Sequence, residues 1–248
     1  MSKKLKKIPP SDSSASRRLA EWSDVIKPGA APSAVRPFTE DVDWRIFRIM
    51  AEFVEGFEFL SKLKHEVTIF GSARAAVSSW PYKEARKLGK LLGKNGYTVV
   101  TGGGPGIMEA ANRGAREGGG ASVGLDIELP KGQRRNDYVD ESMGFHYFFT
   151  RKVMLSASAQ AYVFFPGGFG TMDEVLEMTL LIQTGKITDQ VPVILVGKKH
   201  WQTFLDWVHN NLVHAGYVNE REASILRLVD SAEEAFAIIQ KTSERNFG

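Results

Sequence analysis

Short runs of β-branched and aromatic residues alternate with stretches of helical periodicity through most of this chain, and that alternation limits its folds more than any other feature. The runs fall at 67–70, 97–101, 121–126, 161–165 and 191–196, with a weaker one at 225–229. Helices fit between and after them at 80–94, 106–118, 150–160, 171–184, 200–213 and 231–242. AYVFF and VPVILV are apolar on both faces, which suits parallel strands covered by helices on each side. The expectation is a doubly wound, mostly parallel α/β sheet, Rossmann-like in the broad sense, forming a single domain over 38–248. A length of 248 residues accommodates one such domain.

A long helix is expected ahead of the first strand, at 42–63. Trp44, Phe47, Met50, Val54, Phe57 and Leu60 recur at helical spacing, and Ile46, Ile49, Phe53 and Leu63 form a second stripe beside them. That arc is wider than one covered face requires. The helix is therefore read as lying across the domain, with breadth enough to reach a partner subunit.

Residues 1–37 differ from the rest. They hold five of the ten prolines, seven serines and eight basic residues against three acidic ones. Their charge is +5 in a chain whose total is +3, so the body carries −2. Scattered apolar residues cannot recover the entropy of ordering, and a disordered basic tail is expected. The basic character thus gives little support to nucleic-acid binding by the fold. Tail-mediated binding would depend on salt and vanish with the tail. The start lacks the apolar core of a secretory signal, and no run is apolar enough to span a membrane. The absence of cysteine excludes a disulfide scaffold, a thiolate zinc site and a Cys nucleophile, and it suits a reducing cytoplasm.

Three glycine-bearing turns follow strands: Gly71-Ser72-Ala73-Arg74, Gly102-Gly103-Gly104-Pro105-Gly106 and Pro166-Gly167-Gly168-Phe169-Gly170-Thr171. Each leads toward a helix, whose first N–H groups and positive dipole end attract an anion. Three at one sheet edge point to a phosphate-containing ligand. Known signatures do not fit. Gly89 to Asn95 is one residue short of a P-loop and lies within an expected helix. Gly102, Gly104 and Gly106 give GxGxG where a dinucleotide fingerprint needs GxGxxG. Asp126, 20 residues beyond Gly106, imitates the ribose-binding acid and keeps NAD as a minor alternative. No HExxH or GxSxG is present, and no protein-only metal site is expected.

Arg151-Lys152, PGGFGTMDE at 166–174, GGGPGIMEAANRGA at 102–115 and GSAR at 71–74 together resemble the Lonely Guy family, once labelled possible lysine decarboxylase. The resemblance covers about 65–240. It implies a phosphoribohydrolase that cleaves the N-glycosidic bond of a nucleoside 5′-monophosphate without metal or organic cofactor. AMP and cytokinin ribotides are the implied substrates, and a homodimer or larger homo-oligomer the implied assembly. The older label would require a Schiff-base lysine for pyridoxal phosphate, which no recognised setting supplies. The family pattern puts the 5′-phosphate against Gly167, Gly168, Gly170 and the Thr171 hydroxyl. It makes Glu174 the catalytic carboxylate and Arg151 the catalytic arginine, with Lys152 and Thr179 as further ligand contacts. Gly71, Ser72 and Gly103 complete the phosphate-binding set.

The chemistry suits these residue types. Ribosyl C–N cleavage builds positive charge on the sugar, and a carboxylate beside it stabilises that charge and orients water. Arginine offers a fixed fork for phosphate or leaving group. Plainer readings stand alongside. Asp173, Glu174 and Glu177 begin a helix, where its dipole favours acids, whereas Arg151 at a helix head opposes the dipole. Glu109 and Asn112 read as surface residues. Phe145, Tyr147, Phe148 and Phe149 read either as a cover for a base or as an aromatic strand in the core. Plant-like members carry an acid where this chain has Gln133, followed by Arg134 and Arg135, which favours AMP or a related purine nucleotide. A non-catalytic carrier on the same fold, as in molybdenum cofactor carriers, is the alternative.

Overall fold

The computed structural model describes residues 42–128, 135–157 and 159–245. The tail at 1–37 lies outside them, as do Gln133 and Arg134. The unit Ile46–Gly248 contains the whole sheet. The elements run α1 (Val42–Leu60), β1 (Glu66–Phe70), α2 (Trp80–Lys94), β2 (Thr98–Thr101), α3 (Ile107–Gly118), β3 (Ser122–Ile127) and β4 (Glu141–Phe145). They continue with α4 (Phe148–Ala157), β5 (Ala161–Phe164), α5 (Phe169–Gln183), β6 (Val193–Val196), α6 (Lys198–Val208), α7 (Glu220–Ala223), β7 (Leu226–Val229) and α8 (Ala232–Ile239).

The sheet order is β4-β3-β2-β1-β5-β6-β7, and every neighbouring pair is parallel. The chain builds outward from β1 through β4, then returns to the other side of β1 to place β5. Strand order therefore reverses between β1 and β5, the position where such sheets open a crevice at their carboxyl edge. Successive side chains alternate between faces. Val67, Ile69, Val99 and Val163 pack with Tyr82, Leu88, Ala110 and Ile239 from α2, α3 and α8. Phe70, Val100, Tyr162 and Phe164 pack on the opposite face with Leu60, Met154, Val175 and Trp201 from α1, α4, α5 and α6. Phe70 and Phe164, paired in register, stack with centroids 4.8 Å apart.

The P-loop look-alike is a helix contact. A Cβ on Gly89 would stand 2.3 Å from the Ala111 carbonyl oxygen, and one on Gly93 2.4 Å from that of Ala115, so α2 and α3 meet backbone to backbone.

Several expectations need correcting. The helix expected at 42–63 stops at Leu60, and the one at 150–160 runs instead over Phe148–Ala157. The helix expected at 200–213 is α6 followed by a π-helical turn at His209–Val213. Strand β4 was not anticipated: ESMGF is an edge strand, half-exposed up to its last residue, and lacks a double apolar face. Short helix α7 was missed too; Asn219 and Glu222 close it with a reciprocal capping box. Phe145 to Phe149 are not one aromatic strand. Phe145 ends β4 in the core, while Phe148 and Phe149 open α4 and are exposed. Along α1, Leu60 is buried and Phe53 packs on the core, while Met50, Val54 and Phe57 are exposed.

Candidate functional site

Parallel pairing brings the turns after β2, β1 and β5 side by side at the carboxyl edge. Backbone bonds join them. Ser72 N–H donates to the Pro166 carbonyl at 3.1 Å, and Ile107 N–H donates to the Ser72 carbonyl at 3.1 Å. Gly71 and Ser72 thus form the seam between the other two turns.

The second turn is held from below by a buried polar network. Asn112 is fully buried, which overturns its reading as a surface residue. Its Oδ1 accepts from the Thr101 hydroxyl at 2.7 Å and from Asn136 Nδ2 at 3.0 Å, and its own Nδ2 donates to Ser122 Oγ at 2.9 Å. Asn136 also donates to the Gly103 and Gly104 carbonyls. Glu109 is half-buried and accepts from the Tyr82 hydroxyl at 2.8 Å. Gly103 has φ +69, and the Asp126 carboxylate lies against it.

The third turn opens α5. Gly168 caps the helix without a side-chain bond, so the first N–H groups of α5 have no side-chain acceptor at the cap. Nothing lies within 4 Å of where a Cβ would stand on Gly168 or Gly170. At Gly167 a Cβ would stand 2.0 Å from Thr171 Oγ1, so the glycine lets that buried hydroxyl lie against the loop. A helix N-terminus bare of side chains, beside a hydroxyl, is suited to a phosphate.

Helix α4 brings the Arg-Lys pair. Arg151 Nε donates to the Leu125 carbonyl at 2.7 Å and a terminal nitrogen donates to that of Gly102 at 3.4 Å, tying α4 to the ends of β3 and β2. Burial lowers the guanidinium's pKa, against the fields of Glu174 and Asp126. Lys152 Nζ pairs with Asp173 at 2.8 Å and Glu177 at 3.0 Å, both on α5. Burial alone would lower its pKa, but the bonds to Asp173 and Glu177 prevail, with the charges of Glu174 and Glu177, and push it up to about 12.

Glu174, one turn into α5, is 9% exposed, and its Oε2 has no hydrogen-bond partner among the described residues. Burial first, then the charges of Glu177 and Asp173, push its pKa up to about 8 against Lys152 and Arg151. Arg151, Glu174, Lys152, Gly103, Gly71, Ser72 and the turn from Gly167 to Thr171 are thus gathered at one edge. Thr179 lies further along α5, eight residues beyond Thr171 and about 12 Å along the helix from it, and its hydroxyl donates to the Val175 carbonyl at 2.7 Å. Arg135 pairs with Asp126 at 2.7 Å.

Glu52 on α1 was not foreseen. Its buried carboxylate accepts from the N–H groups of His146 at 2.9 Å and Tyr147 at 3.4 Å, and from the Thr150 hydroxyl. It therefore anchors the start of α4, one residue from Arg151. The signal was an acid on the inward stripe that also holds Ile49, Gly56 and Leu60. Among the described residues no group of three or more His, Asp or Glu side chains could hold a metal ion, and no helix is long and apolar enough to cross a membrane. Lys152 does not fit a Schiff-base lysine, which needs a free amine of lowered pKa.

A family model described as possible lysine decarboxylase matches residues 108–239. A cytokinin riboside 5′-monophosphate phosphoribohydrolase of Mycobacterium marinum is 29% identical over 153 residues, 61% of this chain and 81% of that protein. A pyrimidine/purine nucleotide 5′-monophosphate nucleosidase of Escherichia coli K12 is 29% identical over 163 residues, covering 62% of this chain and 36% of that protein. The structure of a molybdenum cofactor binding protein from Rippkaea orientalis aligns with a TM-score of 0.52 at 23% identity, over 71% of this chain and 93% of that one, a likeness of fold alone.

Proposed function

The chain belongs to the Lonely Guy family, the possible lysine decarboxylases of the family model, and from that premise we propose that it hydrolyses the N-glycosidic bond of nucleoside 5′-monophosphates. The substrate is AMP or a cytokinin riboside 5′-monophosphate, and the products are the free base and ribose 5-phosphate. The observation that carries this reading is Glu174: a buried carboxyl oxygen without a hydrogen-bond partner among the described residues, beside Arg151 and behind an open helix N-terminus.

The phosphate sits on the first turn of α5, against Gly167, Gly168, Gly170 and the Thr171 hydroxyl. This holds the ribose with its C1′ toward Glu174. As the C1′–N bond breaks, its electrons leave with the base and positive charge develops on the sugar. The Glu174 carboxylate stabilises that charge and accepts a proton from the attacking water, whose oxygen bonds to C1′. The proton passes on to the base nitrogen, which leaves neutral. Arg151 supplies fixed positive charge facing the phosphate or the leaving base. No step uses a metal or organic cofactor.

Nucleoside monophosphates are charged and retained within cells, so the activity is placed in the cytoplasm. A homo-oligomer is part of the proposal, supported by the exposed apolar residues of α1, α4 and α5, among them Met50, Val54, Phe148 and Leu176.

Incubation with AMP and other monophosphates, followed by chromatography of the free base, tests the proposal. Release of adenine from AMP is expected. Clear binding with no base released from any of them overturns it. A pterin-type ligand held tightly in native mass spectrometry would favour the carrier reading instead.

A further inference from the structure

Arg151 and Lys152 are adjacent in sequence but engage different parts of the molecule. Arg151 is anchored to the backbone of the sheet edge through the Leu125 and Gly102 carbonyls. Lys152 reaches across to α5, and both of its ion-pair partners flank Glu174 in sequence. Asp173 and Glu177 stand four apart, so they share one face of α5, and a single ammonium bridges them. Three carboxylates on one helix, of which Glu174 is buried, Glu177 half-buried and Asp173 exposed, would otherwise repel one another.

We propose that Lys152 is a positioning residue: its ammonium, bridging Asp173 and Glu177, holds α4 against α5 and keeps Glu174 ionisable, instead of gripping the substrate phosphate. An ammonium has three donors; one is hydrogen-bonded to Asp173, and the Glu177 carboxylate stands in ion-pair contact with the same nitrogen. A phosphate would have to compete with two acids already at 2.8 and 3.0 Å. The groups facing Glu174 are Asp173 and Glu177 from α5 and Arg151 and Lys152 from α4. Asp126 on β3 adds its charge to Arg151, and the field of Glu177 reaches the Tyr162 hydroxyl on β5, to which Arg245 donates. Between α4 and α5 alone, the three acids Asp173, Glu174 and Glu177 face the two cations Arg151 and Lys152. Removing Lys152 leaves one cation, and Glu174 then holds its proton to higher pH.

The role in turnover rests on the proposed function, but the effect on Glu174 does not, and the experiment separates them. In protein labelled with 13C at the glutamate carboxyls, the Glu174 signal is assigned by its loss in Glu174→Gln and followed against pH. In Lys152→Met its midpoint should rise by about one pH unit, as expected on losing an adjacent opposite charge, and in Lys152→Arg it should stay. An unmoved midpoint in a folded Lys152→Met overturns the proposal. Should Lys152→Met not fold, Glu177→Gln provides the opposite shift, since a like charge is removed, and an unmoved midpoint there is equally fatal. With AMP, Lys152→Met should lower kcat about tenfold or more at pH 7 at unchanged KM, as a depleted reactive carboxylate would, and Lys152→Arg should recover it. A raised KM at unchanged kcat would make Lys152 a phosphate ligand and overturn the proposal. If the unmodified protein releases no base, the proposed function fails while the titration still decides the role of Lys152.

Discussion

The Oδ1 of Asp126 lies so close over Gly103 that a Cβ there would stand 1.7 Å from it. The same glycine has φ +69, a conformation that side chains disfavour. Two requirements, space and backbone angle, thus converge on the turn after β2, which also accepts Arg151 through Gly102. Gly103→Ala should displace either the turn or Asp126 and disturb both. The expected outcome is a lower Tm together with a loss of base release from AMP. Near-normal values of both would show the turn to be more tolerant than its geometry implies.

Glu174→Gln tests the reacting carboxylate. It should bind AMP about as well as the unmodified protein yet lower kcat by about 10²–10⁴-fold, the range for a general acid–base residue. Isothermal titration paired with single-turnover base release separates the two effects. Retained turnover would remove the mechanism while leaving the substrate class intact.

The same residue predicts two pH dependences. With its pKa pushed up to about 8 by burial and neighbouring acids, the ionised form is the minority at pH 7, so kcat/KM should rise with pH to a plateau above about 8. Stability runs the other way. A carboxyl whose folded pKa is raised contributes stability that is fully present below its unfolded value, near 4.5, and is lost as pH rises through about 8. Melting curves should therefore show Glu174→Gln gaining Tm relative to the unmodified protein toward pH 8 and above.

Much of this was legible because it is written in local pattern. Central strands such as AYVF are apolar on both faces and stand out, and PGGFGTMDE carries its glycines, hydroxyl and carboxylate in one stretch. Other features depend on tertiary partners. Strand β4 sits at the sheet edge, so Glu141, Ser142 and Gly144 need not be apolar. Asn112 looks like a surface residue until Thr101, Ser122 and Asn136 surround it. The partners of Lys152 lie more than twenty residues away on another helix, and no spacing rule connects them.

Glu52 offers a test of how α4 is held. Its carboxylate accepts from two N–H groups and a hydroxyl at the head of that helix. Glu52→Ala takes the acceptor from two partly buried N–H groups, while the Thr150 hydroxyl keeps the Tyr147 carbonyl; the cost is about 1–3 kcal/mol, and Tm should fall by about 2–4 °C for each kcal/mol. Because Arg151 follows Thr150 directly, base release should fall too. A lowered Tm with unchanged kcat/KM would confine Glu52 to stability.

The exposed face of α1 yields the last prediction. Met50, Val54 and Phe57 recur at helical spacing and are 56%, 66% and 44% exposed, although leaving such a stripe in water is costly at roughly 25 cal/mol per Å² of apolar area. A second copy of the chain that covers it would remove that cost and would bring α4 and its Arg151 close to the interface, since α1 packs on α4 through Gly56 and Met154. Light scattering coupled to size exclusion should give a mass that is a multiple of 27.5 kDa. Val54→Glu should place a charge in that contact and return the mass to a single chain. A monomeric unmodified protein would defeat the oligomer proposal. An assembly that withstands Val54→Glu would move the contact to another face.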